Sequence, residues 1–300
     1  MLENLESRRY FSSINLSAEG VLEIHGNSRS EQMLFDQIGE KMRLRYNGEV
    51  RYFQYNDVKA IKVDAAGGDD EVVIGVRRVP VTLLGGNGND TLSGGKADDF
   101  ISGGDGDDKL RGRDGDDTLV GGLGADEIAG GDGRDVADYS DRTENLTIKV
   151  GTHADDGALH EHDNVRDDIE AVVGGSGNDY LKNCSKDGRP MELLGGPGND
   201  TVIGADGADT LYGNEGNDTL EGNGGNDFLA DASNRSWHHS GVDSMDGGLG
   251  EDTVKTSSAD DKVVGAGTVV IANYFESNSM PADAVVIHAA QPDDVYAMSL

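Results

Sequence analysis

The chain repeats itself every nine residues, and this periodicity restricts its fold more than any other feature. Residues 85–138 divide without a gap into GGNGNDTLS, GGKADDFIS, GGDGDDKLR, GRDGDDTLV, GGLGADEIA and GGDGRDVAD. A second array starts with GGSGNDYLK at 174–182. It continues with GGPGNDTVI, GADGADTLY, GNEGNDTLE and GNGGNDFLA over 195–230, then HHSGVDSMD and GGLGEDTVK over 238–255. Upstream, AAGGDDEVV at 65–73 keeps Gly at the fourth place, Asp at the sixth and Val at the eighth. Partial units around 74–84 and 183–194 bring the total to about fifteen.

The eighth place holds Leu92, Ile101, Leu110, Leu119 and Ile128 in the first array. In the second it holds Leu181, Val202, Leu211, Leu220, Leu229 and Val254. One aliphatic every nine residues is too sparse for a helix stripe, which needs three or four per two turns. It suits a short strand that points one side chain inward, and the flanking Thr, Tyr, Phe and Val favour a strand there. The preceding glycines let the chain turn and let neighbouring backbones approach closely. Two nonapeptides then make one coil, and stacked coils make two parallel sheets around a thin row of aliphatics.

The bulk composition agrees. Apolar residues make up 35% and aromatics 5%, too little for a large conventional core. The 45 glycines would suggest a disordered chain were they not locked in phase. The formal charge of −32 opposes any compact state through self-repulsion. It also argues against nucleic acid and anionic membranes as partners. A chain this acidic is either solvated and disordered or holds cations, and the fixed spacing of the acids favours the second. Cys184 is the one cysteine, so no disulfide within the chain and no cysteine-based metal site can form. No apolar run approaches the roughly 18 residues of a membrane span.

The phased GGxGxDxUx units resemble the RTX, or hemolysin-type, calcium-binding repeat of type I-secreted toxins, proteases and lipases, over roughly 65–255. The resemblance implies an all-β fold: a right-handed parallel β-roll, or β-solenoid, with Ca2+ between stacked turns. N- and C-terminal β segments would cap it. Calcium takes 6–8 oxygen ligands from carboxylates and backbone carbonyls, and an Asp beside a glycine turn offers both. The acids at the sixth place are Asp70, Asp90, Asp99, Asp108, Asp117, Asp126, Asp135, Asp179, Asp200, Asp209, Asp218, Asp227, Asp243 and Asp252. The turn glycines expected at the metal in the first array are Gly86, Gly88, Gly95, Gly104, Gly106, Gly115, Gly122, Gly124, Gly131 and Gly133. In the second they are Gly175, Gly177, Gly196, Gly198, Gly207, Gly216, Gly225, Gly248 and Gly250. Neighbouring turns share each ion, so roughly ten ions are expected. Strands this short cannot by themselves offset about 1–2 kcal/mol of backbone entropy per residue, so metal binding should supply folding free energy.

Some units depart from the pattern. Ala97 replaces a fourth-place Gly, while Arg113, Ala205, Asn214 and Asn223 replace second-place ones. Asn tolerates the left-handed region, so Arg113 and Ala205 are the departures expected to weaken their turns. The unit containing Arg134 and Ala137 reads as an end cap or a weaker site. Five segments are expected: a leader and β cap at 1–64, a first roll block at 65–140, an irregular β connector at 141–173, a second block at 174–255 and a C-terminal β cap at 256–300. Within 14–63, VLEIHG, KMRLRYNG, EVRYFQYN and VKAIKV alternate with period two, and Asn47-Gly48 is a hairpin signal. They predict an antiparallel cap. NLTIKV (145–150) reads as a strand, DNVRDDIEAVV (163–173) as a longer coil, and 231–237, with Trp237, as an edge loop. Residues 2–12 resemble a short leader of secreted bacterial proteins, and also read as a disordered start. The tail Asp293–Leu300 is similar to an uncleaved type I export signal, and also reads as a plain cap.

No catalytic signature emerges. No HExxH is present, and the spacing of His160, Glu161, His162 and Asp163 is wrong for two ligands on one helical face. His153, His160 and His162 read as solvated loop residues, with a chance transition-metal cluster as the alternative, and Cys184 as a buried or incidental thiol. The expected function is a secreted, extracellular, non-enzymatic protein that folds on meeting Ca2+ and has a structural or adhesive role, with calcium ions as partners. The alternative is a small secreted enzyme, polysaccharide-modifying or hydrolase-like, using Asp155, Asp156, Glu161 and Asp163 on the roll face. A third reading is an accessory module binding a sugar or a protein.

Overall fold

A computed structural model of the chain describes residues 13–151, 155–231, 241–256, 261–273, 285–289 and 295–297. The leader-like residues, His153, Trp237 and most of the acidic tail lie outside them. Among the described residues the elements are strands, with one short 3-10 turn at Tyr55–Asp57. No described helix is long and apolar enough to cross a membrane. The chain divides into two compact units, Met1–Asp138 with Glu161–Ile169, and Tyr139–His160 with Glu170–Leu300.

In the first unit, one parallel sheet stacks Val21–Ser28, Ala60–Gly67, Val81–Asn87, Phe100–Asp105, Thr118–Leu123 and Val136–Asp138. The other stacks Gln32–Ile38, Glu71–Gly75, Thr91–Ser93, Lys109–Asp114, Glu127–Asp132 and Asn164–Val165. Within the array, Ile101 pairs with Leu119 and Leu110 with Ile128, which is two nonapeptides per coil. The eighth-place aliphatics Leu92, Ile101, Leu110, Leu119 and Ile128 are fully buried between the sheets.

The antiparallel cap expected over 14–63 is only partly what forms. Val21–Ser28 pairs parallel with Ala60–Gly67, and Gln32–Ile38 with Glu71–Gly75, so these segments are already coils. The antiparallel pieces are Ser13–Leu16 on one sheet and the hairpin Lys41–Tyr46/Glu49–Gln54 on the other. Asn47 (φ 40°) and Gly48 (φ 88°) make its turn, as their sequence predicts. Alternation alone cannot distinguish the two pairings. Here Leu22, Ile24, Ile61, Val63 and Ala65 face inward together with Met33, Phe35, Val72 and Ile74, all buried. These coils bury two or three apolar side chains per strand, where the nonapeptide strands of the first array bury one.

The second unit follows the same plan. One stack runs Thr147–Val150, Tyr180–Asn183, Thr201–Ile203, Thr219–Glu221 and Ser244–Gly250. The other runs Ala171–Val173, Glu192–Pro197, Thr210–Glu215, Phe228–Ala230 and Thr253–Thr256. Lys262–Asn273 pairs with the last strand of both stacks, and Val285–Ala289 and Val295–Ala297 lie antiparallel on it. These strands lie in the segment expected as a C-terminal β cap. The segment expected as an irregular connector supplies three coil strands, Thr147–Val150, Asn164–Val165 and Ala171–Val173.

Stacking explains the second-place glycine. Gly104 has φ +116°, and a Cβ there would lie 2.1 Å from the carbonyl oxygen of Gly86 one coil earlier. Gly39 in the hairpin connection also has positive φ (+61°) but meets nothing within 4 Å. Gly104→Ala should therefore lower the urea midpoint in saturating calcium well beyond Gly39→Ala, since a left-handed φ alone costs about 1–3 kcal/mol and the backbone collision adds to it. Equal midpoints would contradict the close stacking.

A ladder of buried carboxylates as a candidate metal centre

Each strand ends in a turn whose sixth residue is turned inward, and stacking sets these residues in columns. Along each column the Oδ1 atom of an Asp accepts a hydrogen bond from the backbone N–H at the same place one coil earlier. Asp70 N–H donates to Asp90 (2.7 Å), Asp90 to Asp108 (2.7 Å) and Asp108 to Asp126 (2.8 Å). On the opposite edge Asp99 donates to Asp117 (2.8 Å) and Asp117 to Asp135 (2.9 Å). In the second unit the runs are Asp179–Asp200–Asp218–Asp243 and Asp209–Asp227–Asp252, with distances of 2.8–3.0 Å.

The second oxygen, Oδ2, is different. In Asp70, Asp90, Asp108, Asp117, Asp126, Asp200, Asp218, Asp227 and Asp252 it is buried with no hydrogen-bond partner. In all of these but Asp70, whose unit opens on Ala65, it faces the first-place glycine of its own turn, and a Cβ at Gly85 would lie 2.2 Å from Asp90 Oδ2 and 2.5 Å from the carbonyl oxygen of Gly103 on the next coil. Gly103, with Asp108 Oδ2 and the Gly121 carbonyl, repeats the arrangement. At Gly85 and Gly103 a side chain would collide with the carboxylate and carbonyl oxygens that converge there.

Burial pushes these carboxyls up: Asp90 and Asp218 to about 6, Asp108, Asp117, Asp227 and Asp243 to about 7, and Asp70, Asp126 and Asp200 to about 8. Backbone N–H donation opposes the rise, while neighbouring column acids add to it for most of them. A buried carboxylate oxygen without a partner is costly, and repeating it along a column multiplies the cost. Oxygen-only donors, carboxylate and carbonyl together, suit a hard cation of the calcium class.

Three of the expected acids behave otherwise. The Oδ2 atoms of Asp99, Asp179 and Asp209 accept hydrogen bonds from the second residue of their own turns, Gly95 (2.6 Å), Gly175 (2.8 Å) and Ala205 (2.6 Å). None of those second residues has a left-handed φ, unlike Gly86, Gly104, Gly122 and Gly196. Each is the first Asp of its column. The sixth place one coil earlier is Val81, Leu146 or Met191, whose N–H binds the Asp Oδ1. With no acid facing it across the gap, the carboxylate closes on its own turn. The turn at 94–99 also has cations beside it, Lys96 within it and Arg113 from the turn one coil later. Arg113, at φ 88°, donates from Nη1 to the Ile74 carbonyl (2.8 Å), and its charge acts on Asp99, while Lys96 pairs with Asp114. Asn214 and Asn223 adopt the left-handed region as their residue type allows.

The structure adds acids that the phased pattern does not contain. Glu31 N–H donates to Asp70 Oδ1 (2.6 Å), Asp126 N–H to Asp163 (2.9 Å) and Asp243 N–H to Asp261 (2.9 Å). Glu31, Asp163 and Asp261 are all buried. The signal was present: each stands two residues before an inward apolar, Met33, Val165 or Val263. Gly26 stands to Glu31 as Gly85 does to Asp90, since a Cβ there would lie 2.7 Å from Glu31 Oε2. Of the histidines, His160 and His162 sit in the turn before Asp163, both at positive φ. Cys184 is half-buried, and burial raises its thiol.

The RTX calcium-binding nonapeptide repeat matches in four copies, at 84–119, 102–137, 194–229 and 239–267. No curated protein matches the chain. The matched residues carry the paired carboxylate columns and glycine turns described above, and the chain thus bears RTX calcium-binding nonapeptide repeats across residues 84–267.

Proposed function

We propose that this is a secreted, non-enzymatic calcium-binding protein, structural or adhesive in role, whose roll forms when it meets calcium outside the cell. The observation that carries this reading is the row of buried Oδ2 atoms without partners, whose charge at neutral to alkaline pH calls for a cation. Calcium bound between turns supplies positive charge and coordination to those oxygens. The sites fall where two acids follow each other in a column, so Asp99, Asp179 and Asp209 each contribute on the side facing the next coil. Extracellular calcium modules have dissociation constants of roughly 10⁻⁴–10⁻³ M, so such sites stay unfilled in the cytosol and fill outside. The chain would then cross an export channel unfolded.

Three of the four acids that an enzymatic reading would use have other roles. Asp163 is a column acid, Asp156 Oδ1 accepts from Lys149 N–H (2.6 Å), and Asp155 pairs with the Lys149 ammonium (2.5 Å). The test is far-UV circular dichroism of the whole chain, from calcium-free buffer at pH 8 into millimolar calcium. A cooperative gain of β signal is expected. A spectrum indifferent to calcium would defeat the proposal.

A further inference from the structure

Asp231 stands at the first place of its turn, where the repeat has glycine. It follows the strand Phe228–Ala230, and its carbonyl accepts a hydrogen bond from Asn214 N–H (2.6 Å), which stacks it over Gly213 of the coil before. Its carboxylate joins two column acids: oxygens of Asp231, Asp243 and Asp261 all lie within 4.8 Å of one another, and all three side chains are buried. A fourth acid points the same way. Asp218 Oδ2 is buried and without a partner, and it faces Gly213, where a Cβ would lie 2.2 Å away. Asp231 stacks on that glycine, and its charge acts on both Asp218 and Asp243.

We propose that Asp231, Asp243 and Asp261, with Asp218 behind them, form a binding site for one hard cation, calcium or a lanthanide, distinct from the two-acid gaps of the repeat and filled before them. This rests on the calcium reading above and ranks one site within it. Affinity in oxygen-ligand calcium sites rises with the number of charged ligands and the rigidity of the cage. The repeat gaps offer two acids and glycine carbonyls, whereas this one offers a third carboxylate in the glycine's place. Its location gives it a second role. Asp261 immediately precedes Lys262–Asn273, the strand that pairs with both stacks, so an ion here fastens the C-terminal cap to the last coil.

The test uses the full chain, loaded with calcium and dialysed against buffers of graded free calcium. Bound ions are counted by atomic emission, with circular dichroism in parallel. The unaltered chain should keep one ion at free calcium about tenfold below the level that half-empties the rest. Asp231→Asn should release that ion with the others, and so should Asp231→Gly, which restores the repeat residue and keeps the fold. Asp105→Asn, an exposed acid in the first unit, should leave it in place. Terbium should show the same ranking more strongly, because a third carboxylate favours a trivalent ion. If Asp231→Asn and Asp231→Gly both retain a last tight ion, or the unaltered chain releases all its calcium in one class, the site is refuted while the repeat reading stands. A chain that binds no calcium would overturn both.

Discussion

Transferred to calcium-free buffer, the chain is expected to hold its β signal at pH 5 and to lose most of it at pH 8. The direction follows from the columns. Folding raises the column carboxyls from an ordinary 3.8 to between about 6 and 8. The folded chain therefore binds more protons than the unfolded one between those limits, and its stability falls as pH rises through that window. A tenfold change in proton affinity between the two states is worth about 1.4 kcal/mol. For Asp126, at about 8, the ionised form costs on the order of 5 kcal/mol, and several neighbours share that burden. Below about pH 3 the difference in bound protons vanishes, because the carboxyls are protonated in both states. With calcium the slope reverses, since protons compete with the metal for the same oxygens and the calcium midpoint rises as pH falls. Circular dichroism across pH 4–9, with and without calcium, tests this directly. Slopes of the same sign would mean that the columns do not control folding.

The second large effect is regional. In calcium-free buffer at pH 8, peptides from 21–46 and 60–83 should keep amide protection while those from 100–128 lose it, by a factor of about a hundred or more. A fully buried aliphatic contributes roughly 1.5–3 kcal/mol, against about 1–2 kcal/mol to order each residue's backbone. Leu22, Ile24, Met33, Phe35, Ile61, Val63, Val72, Ile74, Val81 and Leu83 crowd the early coils, and the hairpin adds Met42, Leu44 and Tyr46, all buried. A nonapeptide strand such as Lys109–Asp114 buries one aliphatic, Leu110, and then turns through Gly112. Hydrogen exchange read by mass spectrometry would separate the two regions. Uniform loss would show that the early coils, too, depend on metal.

The fold was legible in the repeat because position and residue type coincide there: an aliphatic at the eighth place, an acid at the sixth and glycine where backbones touch. What the sequence obscured has definite causes. Glu31 lengthens the side chain by one methylene and keeps the place. Asp163 and Asp261 follow segments that break the nine-residue count, so their phase can be recovered only from the apolar residue two places on. Asp231 was hidden because it occupies a glycine's place, and identity at that place matters only once the neighbouring coil is known. The early coils resemble antiparallel strands in sequence because a period of two describes one strand and says nothing about its partner. The closure of Asp99, Asp179 and Asp209 on their own turns depends on what stands one coil earlier, at Val81, Leu146 and Met191, in segments with no repeat signature.

Register between successive array strands is 18 residues, as in Phe100 with Thr118 and Thr210 with Phe228. The unit that can be gained or lost is therefore the pair of nonapeptides, although the visible repeat is the single one. Removing 103–120 would join equivalent points on neighbouring coils and leave every later turn on its own edge. Removing one nonapeptide, 103–111 for example, would send each later turn to the opposite edge, setting Asp117 over Asp90 instead of Asp99 and Asp126 over Asp99 instead of Asp108. The wider steps in the chain obey this parity. Thr219 pairs with Ser244 across 25 residues and Phe228 with Thr253 across the same span, so the extra residues leave both stacks in order. Such a chain can change length in whole coils, or bulge at a turn, without disturbing the metal columns on either side.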